Sequence, residues 1–308
     1  MATDTATKKQ MQAVRVEVDE VLQRREKALR ARAKALATMP ALEAVAAAAP
    51  SPAPTPHMKL AAAASVATKG WIVAEGDSWF DYPGSDILDC LDQLGYSIQS
   101  VARAGDRAEM MAFGKGQLDK LAAAIDKVIA QGKPKAILLS GGGNDIAGAE
   151  FGFLINHAGS PREGLNESVI TGVIDERVQD AYVHIIRKVT DLCQKMLNEP
   201  VPIILHGYGY PVPDGDGVLG GWGPLPGPWL RPGFIEKGFN NLEDNKATMK
   251  KLMDRFNAML QRVEGMFGHV KYVDLRKLLP SEKKLWANEL HPKPPGFKLA
   301  AEAIAAVL

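Results

Sequence analysis

The sequence predicts a doubly wound α/β domain in three layers, a parallel sheet of about five strands with helices on both faces. Two observations carry this. Short apolar runs at 71–75, 97–102, 135–140, 201–207 and 270–275 alternate with helical periodicities at 117–130, 173–198, 242–263 and 296–308. Strands that alternate with helices at this spacing build parallel sheets covered on both sides. The chain has 308 residues, 46% of them hydrophobic, which suffices for one such domain or two small ones.

Before the first strand the text differs. Residues 1–43 are charged and rich in helix formers, and Met11, Val14, Val18, Val21, Ala28 and Ala35 recur at spacings of three, four and seven. That is an amphipathic helical arm. Arg25 and Arg32 interrupt its seam, so it reads as a solvated helix or as a docking or self-association element over residues 1–40. Residues 44–70 alternate Ala and Pro around position 50, the composition of an extended spacer with no core of its own. The α/β domain is therefore expected over 71–308.

In the helix at 173–198, Val178, Tyr182, Ile185, Val189, Leu192 and Met196 share one face. Two stretches break the alternation, 146–172 and 207–240. The second is dense in Gly, Pro and aromatic residues, and a loop of such length in a compact domain is usually functional. Both leave carboxyl ends of strands, the edge where open α/β sheets carry their sites.

The formal charge of +1 and pI of about 7.7 give no reason to expect nucleic acid or an anionic membrane as partner. No apolar run reaches the ~18–20 residues of a membrane span. The opening MATDTATKKQMQ has no apolar segment after its basic residues, so no secretory signal is read and a cytoplasmic location is expected. Cys90 and Cys193 lack ligand spacing and read as small core residues. No Cys/His/Asp cluster has zinc spacing, so neither a metal nor another cofactor is expected.

Chemistry-bearing residues gather at the strand ends. The first strand runs into Gly76-Asp77-Ser78-Trp79, where a tight turn would project the Ser78 hydroxyl at the sheet edge. Alone, the tripeptide is equally a turn with a serine helix cap. After the second strand comes Gly105, a turn glycine whose bare N–H could approach a ligand. After the third comes Ser140-Gly141-Gly142-Gly143-Asn144-Asp145, which fits neither the dinucleotide nor the P-loop pattern. Near the C-terminus His291 precedes Pro292 on a loop, and read alone it is an ordinary exposed loop histidine.

In combination, GDS, G, GxND and HP at four successive strand ends resemble the SGNH subgroup of GDSL esterases and lipases. The resemblance covers roughly residues 71–308 and implies that family's flavodoxin-like fold. It implies Ser78 as nucleophile, His291 as general base, and an oxyanion hole from the Ser78 and Gly105 N–H groups and the Asn144 side chain. The α/β-hydrolase signature G-x-S-x-G is absent. One position departs from the family. Its Asp-x-x-His block reads Asn288-Glu289-Leu290-His291 here, which leaves Asn288 or, alternatively, Asp274 to orient the histidine. Glu289 precedes His291 by only two residues and is expected to point elsewhere.

Asp77, Trp79, Gly143, His206, Trp222 and Trp229 are expected at the substrate site, with Tyr208, Tyr210 and Phe234 adding apolar surface to the 207–240 loop. The expected substrate is a small carboxylic ester, lipid or short-chain. A carbohydrate O-deacetylase is the second expectation. A weakly active binding or scaffold protein, motivated by Asn288, is the third.

Overall fold

A computed structural model of the chain describes residues 68–218 and 226–308. All described residues belong to one compact unit, Ser65–Leu308. The expected arm at 1–43 and nearly all of the spacer lie outside the described residues, as does Trp222.

All five expected strands are present: β1 (Trp71–Glu75), β2 (Ser97–Ser100), β3 (Ala136–Leu139), β6 (Ile203–His206) and β7 (Val270–Val273). They form one sheet in the order β2-β1-β3-β6-β7, and every adjacent pair is parallel. The residues of β3 and β6 are all buried, as strands covered on both faces must be. A separate two-stranded antiparallel ribbon, β4 (Ile155–Asn156) with β5 (Gly164–Leu165), lies in the stretch expected to be irregular.

The helices divide between the two faces. On one, α1 (Ile87–Gln93) packs against α9 (Pro294–Ala305). On the other, α3 (Gln117–Ile129), α6 (Gln179–Leu197) and α8 (Leu242–Gly265) pack side by side. Local chemistry sets their ends. Asp86 and Asp89 form a capping box on α1, Asn241 caps α8, and prolines stand at the first turn of α9, where a missing N–H costs nothing.

Four shorter helices complete the layers: α2 (Ala108–Phe113), α4 (Gly143–Ile146), α5 (Glu167–Ile170) and α7 (Arg231–Glu236). Between α5 and α6 the helical run widens into a π-helix over Thr171–Val178. Of the apolar face expected on this run, Val178, Tyr182, Ile185 and Val189 are buried, whereas Met196, in the last turn, is 38% exposed. Cys90 and Cys193 are both buried and unpaired. Among the described residues no helix is long and apolar enough to cross a membrane.

The topology places the site. The chain passes from β1 outward to β2, then back across β1 to β3. The loops after β1 and β3 therefore leave in opposite directions and open a crevice at the carboxyl edge. Ser78 follows β1 and Asn144 follows β3, so both border it.

Candidate active site

The Ser78 turn is built by its neighbours. A Cβ on Gly76 would come within 2.8 Å of both Phe80 and the Ser140 carbonyl oxygen, so only glycine fits there. Asp77 is 1% exposed. Its Oδ1 accepts from the Trp79 N–H at 3.0 Å and the Ser140 hydroxyl at 2.9 Å. Its Oδ2 accepts from the Tyr208 hydroxyl at 2.5 Å. Ser78, with its neighbours held, stays half-buried at the cavity.

The Ser78 Oγ lies 2.7 Å from His291 Nε2, across 213 residues of sequence. On the other side of the ring, Nδ1 lies 2.9 Å from Asn288 Oδ1. The same Oδ1 accepts the backbone N–H groups of Leu290 at 3.0 Å and His291 at 2.9 Å. Backbone N–H groups only donate, so the oxygen of the Asn288 amide, not its nitrogen, faces the ring. Nδ1 must then carry the proton and Nε2 the lone pair, with that lone pair directed at the Ser78 hydroxyl. The Asn288 Nδ2 donates outward to the Tyr82 hydroxyl at 3.0 Å.

The His291 loop is itself braced. The Trp79 indole N–H donates to the Leu290 carbonyl at 3.1 Å. His291 is 4% exposed, and burial pushes its pKa down from 6.5 to about 3. The imidazole is thus neutral at ordinary pH.

On the other wall, Asn144 Nδ2 donates one hydrogen to the Asp106 carbonyl at 3.0 Å, which leaves its second hydrogen for a ligand. Among the described residues neither the Ser78 nor the Gly105 N–H donates to a protein acceptor. Gly105, at φ +88°, is exposed and precedes Asp106, whose carbonyl binds Asn144. The Gly143 N–H, in contrast, is taken by the Tyr208 hydroxyl at 3.2 Å.

Several expected residues lie elsewhere. Asp274 is bound to Arg276, Oδ1 to Nε at 2.9 Å and Oδ2 to Nη2 at 2.6 Å, and the guanidinium holds its carboxyl below the usual range. It is not brought to His291. His206 is 1% exposed and stacks on Trp79 at 5.5 Å, inside the core. Burial lowers its pKa, and it offers nothing to a substrate. Asp77 and Trp79 border the cavity, but their polar groups are spent on the protein. Tyr208 and Phe234, expected as loop surface, are both buried. Trp229 stands edge-on to His291 at 5.8 Å between centroids.

Glu289 points away from the histidine, as its position two residues earlier suggests, and has a role that its spacing does not encode. Fully buried, it accepts four backbone N–H groups, from Gly215 at 2.9 Å, Trp229 at 2.5 Å, Leu230 at 2.7 Å and Arg231 at 2.9 Å. It pins both arms of the 207–240 loop to the histidine loop and caps α7.

Beside Ser78, Gly143 and Asn144 the crevice holds a cavity of about 40 Å³ walled mainly by Ile146, Leu230, Met249, Met253 and Trp286. Among the described residues no group of three or more His, Cys, Asp or Glu is placed to hold a metal ion.

Neither a protein-family model nor a curated protein matches the chain. Many of the solved structures it is similar to are SGNH- and GDSL-type hydrolases and esterases. They include a candidate SGNH hydrolase from Slackia heliotrinireducens, at 14% identity over 77% of this chain and 97% of that one, TM-score 0.45. An acetylxylan esterase from Geobacillus stearothermophilus gives 14% identity over 78% and 94%, TM-score 0.40. A GDSL-like lipase from Bacteroides thetaiotaomicron gives 11% over 77% and 87%, TM-score 0.39. Likeness at this level carries no functional argument, so function must be read from the geometry of the site.

Proposed function

We propose that this chain is a serine hydrolase of small carboxylic esters, acting through an acyl-enzyme on Ser78. The observation that carries the proposal is the relay Asn288–His291–Ser78, in which backbone donors fix the tautomer a general base needs. His291 Nε2 takes the Ser78 proton as Oγ attacks the ester carbonyl. Charge then develops on the carbonyl oxygen, where the Ser78 and Gly105 N–H groups and the free Asn144 hydrogen receive it. The imidazolium protonates the departing alkoxide. Water, deprotonated in turn by His291, releases the acid and restores Ser78. No cofactor enters this sequence.

The cavity supports short acyl groups over long ones. Its volume of about 40 Å³ is room for about three water-sized groups, close to an acetyl. Trp229, half-buried beside His291, puts an aromatic side chain next to the base, and an aromatic face there would suit a sugar ring, so O-deacetylation of a sugar is the second reading. A scaffold role is disfavoured, because a site kept only for binding has no need of a histidine locked in one tautomer.

Two measurements test this together. A fluorophosphonate probe should label wild type and leave Ser78→Ala unlabelled, with the fold intact by circular dichroism. Across p-nitrophenyl esters, kcat/KM should be highest from acetate to butyrate and fall by octanoate. Absence of both labelling and hydrolysis removes the proposal. An optimum at octanoate or longer removes the acyl-size part alone.

A further inference from the structure

Proton transfer to His291 creates a cation that, among the described residues, has no carboxylate beside it. The acidic groups on every packed element are committed elsewhere. Asp77 binds Trp79, Ser140 and Tyr208, and Asp81 accepts the Ala104 N–H. Asp86 caps α1, and Glu289 is filled by four backbone donors. On the neighbouring loop Asp214 and Asp216 pair with Lys283, while Arg231 binds the Asp214 carbonyl. Lys293, two residues past the histidine, is exposed. Burial alone sets the shift of the imidazole.

What does lie against the ring is Tyr82. The two rings stack at 4.3 Å between centroids and 27° between planes, so the imidazole meets the electron-rich face of the phenol. Tyr82 is held there from two sides. Its N–H donates to Asp86 Oδ2 at 3.3 Å, and its ring leans on Phe297 at 5.7 Å. Its hydroxyl accepts from Asn288 Nδ2 at 3.0 Å. One side chain thus touches the base directly and through the residue that orients it.

We propose that Tyr82 is a positioning residue for His291: its ring face stabilises the imidazolium in place of a carboxylate, and its hydroxyl locks the Asn288 amide. The inference rests on the hydrolase reading above. An aromatic face attracts a cation most where water is excluded, and His291 is 4% exposed. In rate, the attraction corresponds to about 3- to 30-fold.

A shape-conserving series separates the ring from mere packing. In the full chain, position 82 is changed to Phe and then to mono-, tri- and pentafluorinated phenylalanine, with Asn288 and again with Asn288→Asp. The readouts are fluorophosphonate labelling rate against pH, kcat and KM on p-nitrophenyl acetate, and Tm. Tyr82→Phe should lose only about 3-fold, the share of the hydroxyl. Successive fluorination should lower the labelling rate and kcat by about 3- to 30-fold in all, with KM and Tm nearly still. With Asn288→Asp the series should flatten, because the new carboxylate makes the ring face redundant. A flat series beside Asn288, or a loss confined to KM or Tm, overturns the proposal. If wild type is not labelled at all, the hydrolase reading fails instead. The His291 pKa, followed by NMR through the same series, then decides the stacking claim alone: a pKa that falls with fluorination supports it, and a constant one overturns it.

Discussion

Asp77 and Tyr208 are joined by a 2.5 Å hydrogen bond although 131 residues separate them. Through it the turn that carries Ser78 and the turn that carries Asn144 become one unit, because the same Tyr208 hydroxyl also accepts the Gly143 N–H. Tyr208 is buried, and its phenol pKa is raised well above 10 by that burial. The group therefore stays a hydroxyl, able to donate to one side and accept from the other.

Tyr208→Phe should strip a donor from Asp77 Oδ2 and an acceptor from Gly143 together. Each buried orphan costs about 1–3 kcal/mol, so Tm should fall. Misplacement of Ser78 and Asn144 should lower kcat more than KM. Unchanged thermal melting together with unchanged kcat would mean that water replaces the hydroxyl at no cost.

Asn144→Ala removes one of the three donors proposed for the oxyanion hole. The usual cost is about 10²–10³ in kcat, with KM nearly constant. A loss seen only in KM would make Asn144 a ground-state contact and leave the two N–H groups as the whole oxyanion hole.

The pH profile should show an unusual acid limb. With its pKa pushed to about 3 by burial, His291 keeps the lone pair a base needs far below the ordinary histidine value of 6.5. Wild-type kcat/KM should be level from neutrality down to pH 5. Asn288→Asp places a charge beside Nδ1 and favours the imidazolium, so its acid limb should move upward in pH while the plateau rises. A wild-type limb near 6.5 would show that water reaches the ring.

Glu75 offers a stability test away from the serine. It is 1% exposed, Oε1 accepts from Gln117 at 3.1 Å, and Oε2 has no partner among the described residues. Burial, helped by the Asp106 charge, raises its pKa from 4.5 to about 7. The folded state thus holds a proton that the unfolded state releases, and the stability linked to that proton is complete below pH 4.5 and lost as pH rises through 7. Glu75→Gln should equal wild type near pH 4 and exceed it at pH 8 by up to about 3 kcal/mol. Urea melts that stay parallel across this range would refute the linkage.

The strands were legible because each is a short apolar run with glycine or polar residues after it, and burial on both faces demands that pattern. The helices α1 and α2, at seven and six residues, were not. Fewer than two turns give periodicity nothing to repeat, although the Asp86–Asp89 box was a usable start signal. His206 fails for a parity reason. Successive side chains on a strand face opposite sides, and composition cannot say which side of β6 its last residue takes. Tyr82, Tyr208 and Glu289 act through contacts that no local spacing encodes.

Glu289 gives the sharpest case. Two residues from His291, its side chain leaves the active site and accepts four N–H groups from two segments of the 207–240 loop. A carboxylate is the only side chain with enough acceptor positions for all four. Glu289→Gln keeps the shape but turns one oxygen into a donor that faces other donors, so at least one backbone N–H loses its partner at about 1–3 kcal/mol. Segments 215 and 229–231 should then open more often, and Trp229 should drift from His291. Hydrogen exchange at the Trp229, Leu230 and Arg231 amides should quicken by about 10-fold or more, with KM rising and kcat less affected, because the Ser78–His291–Asn288 geometry is built from other contacts. Faster exchange with KM unmoved would separate the loop from substrate binding. Exchange at the wild-type rate would show that the four hydrogen bonds do not govern the loop, and that α7 and its packing hold it unaided.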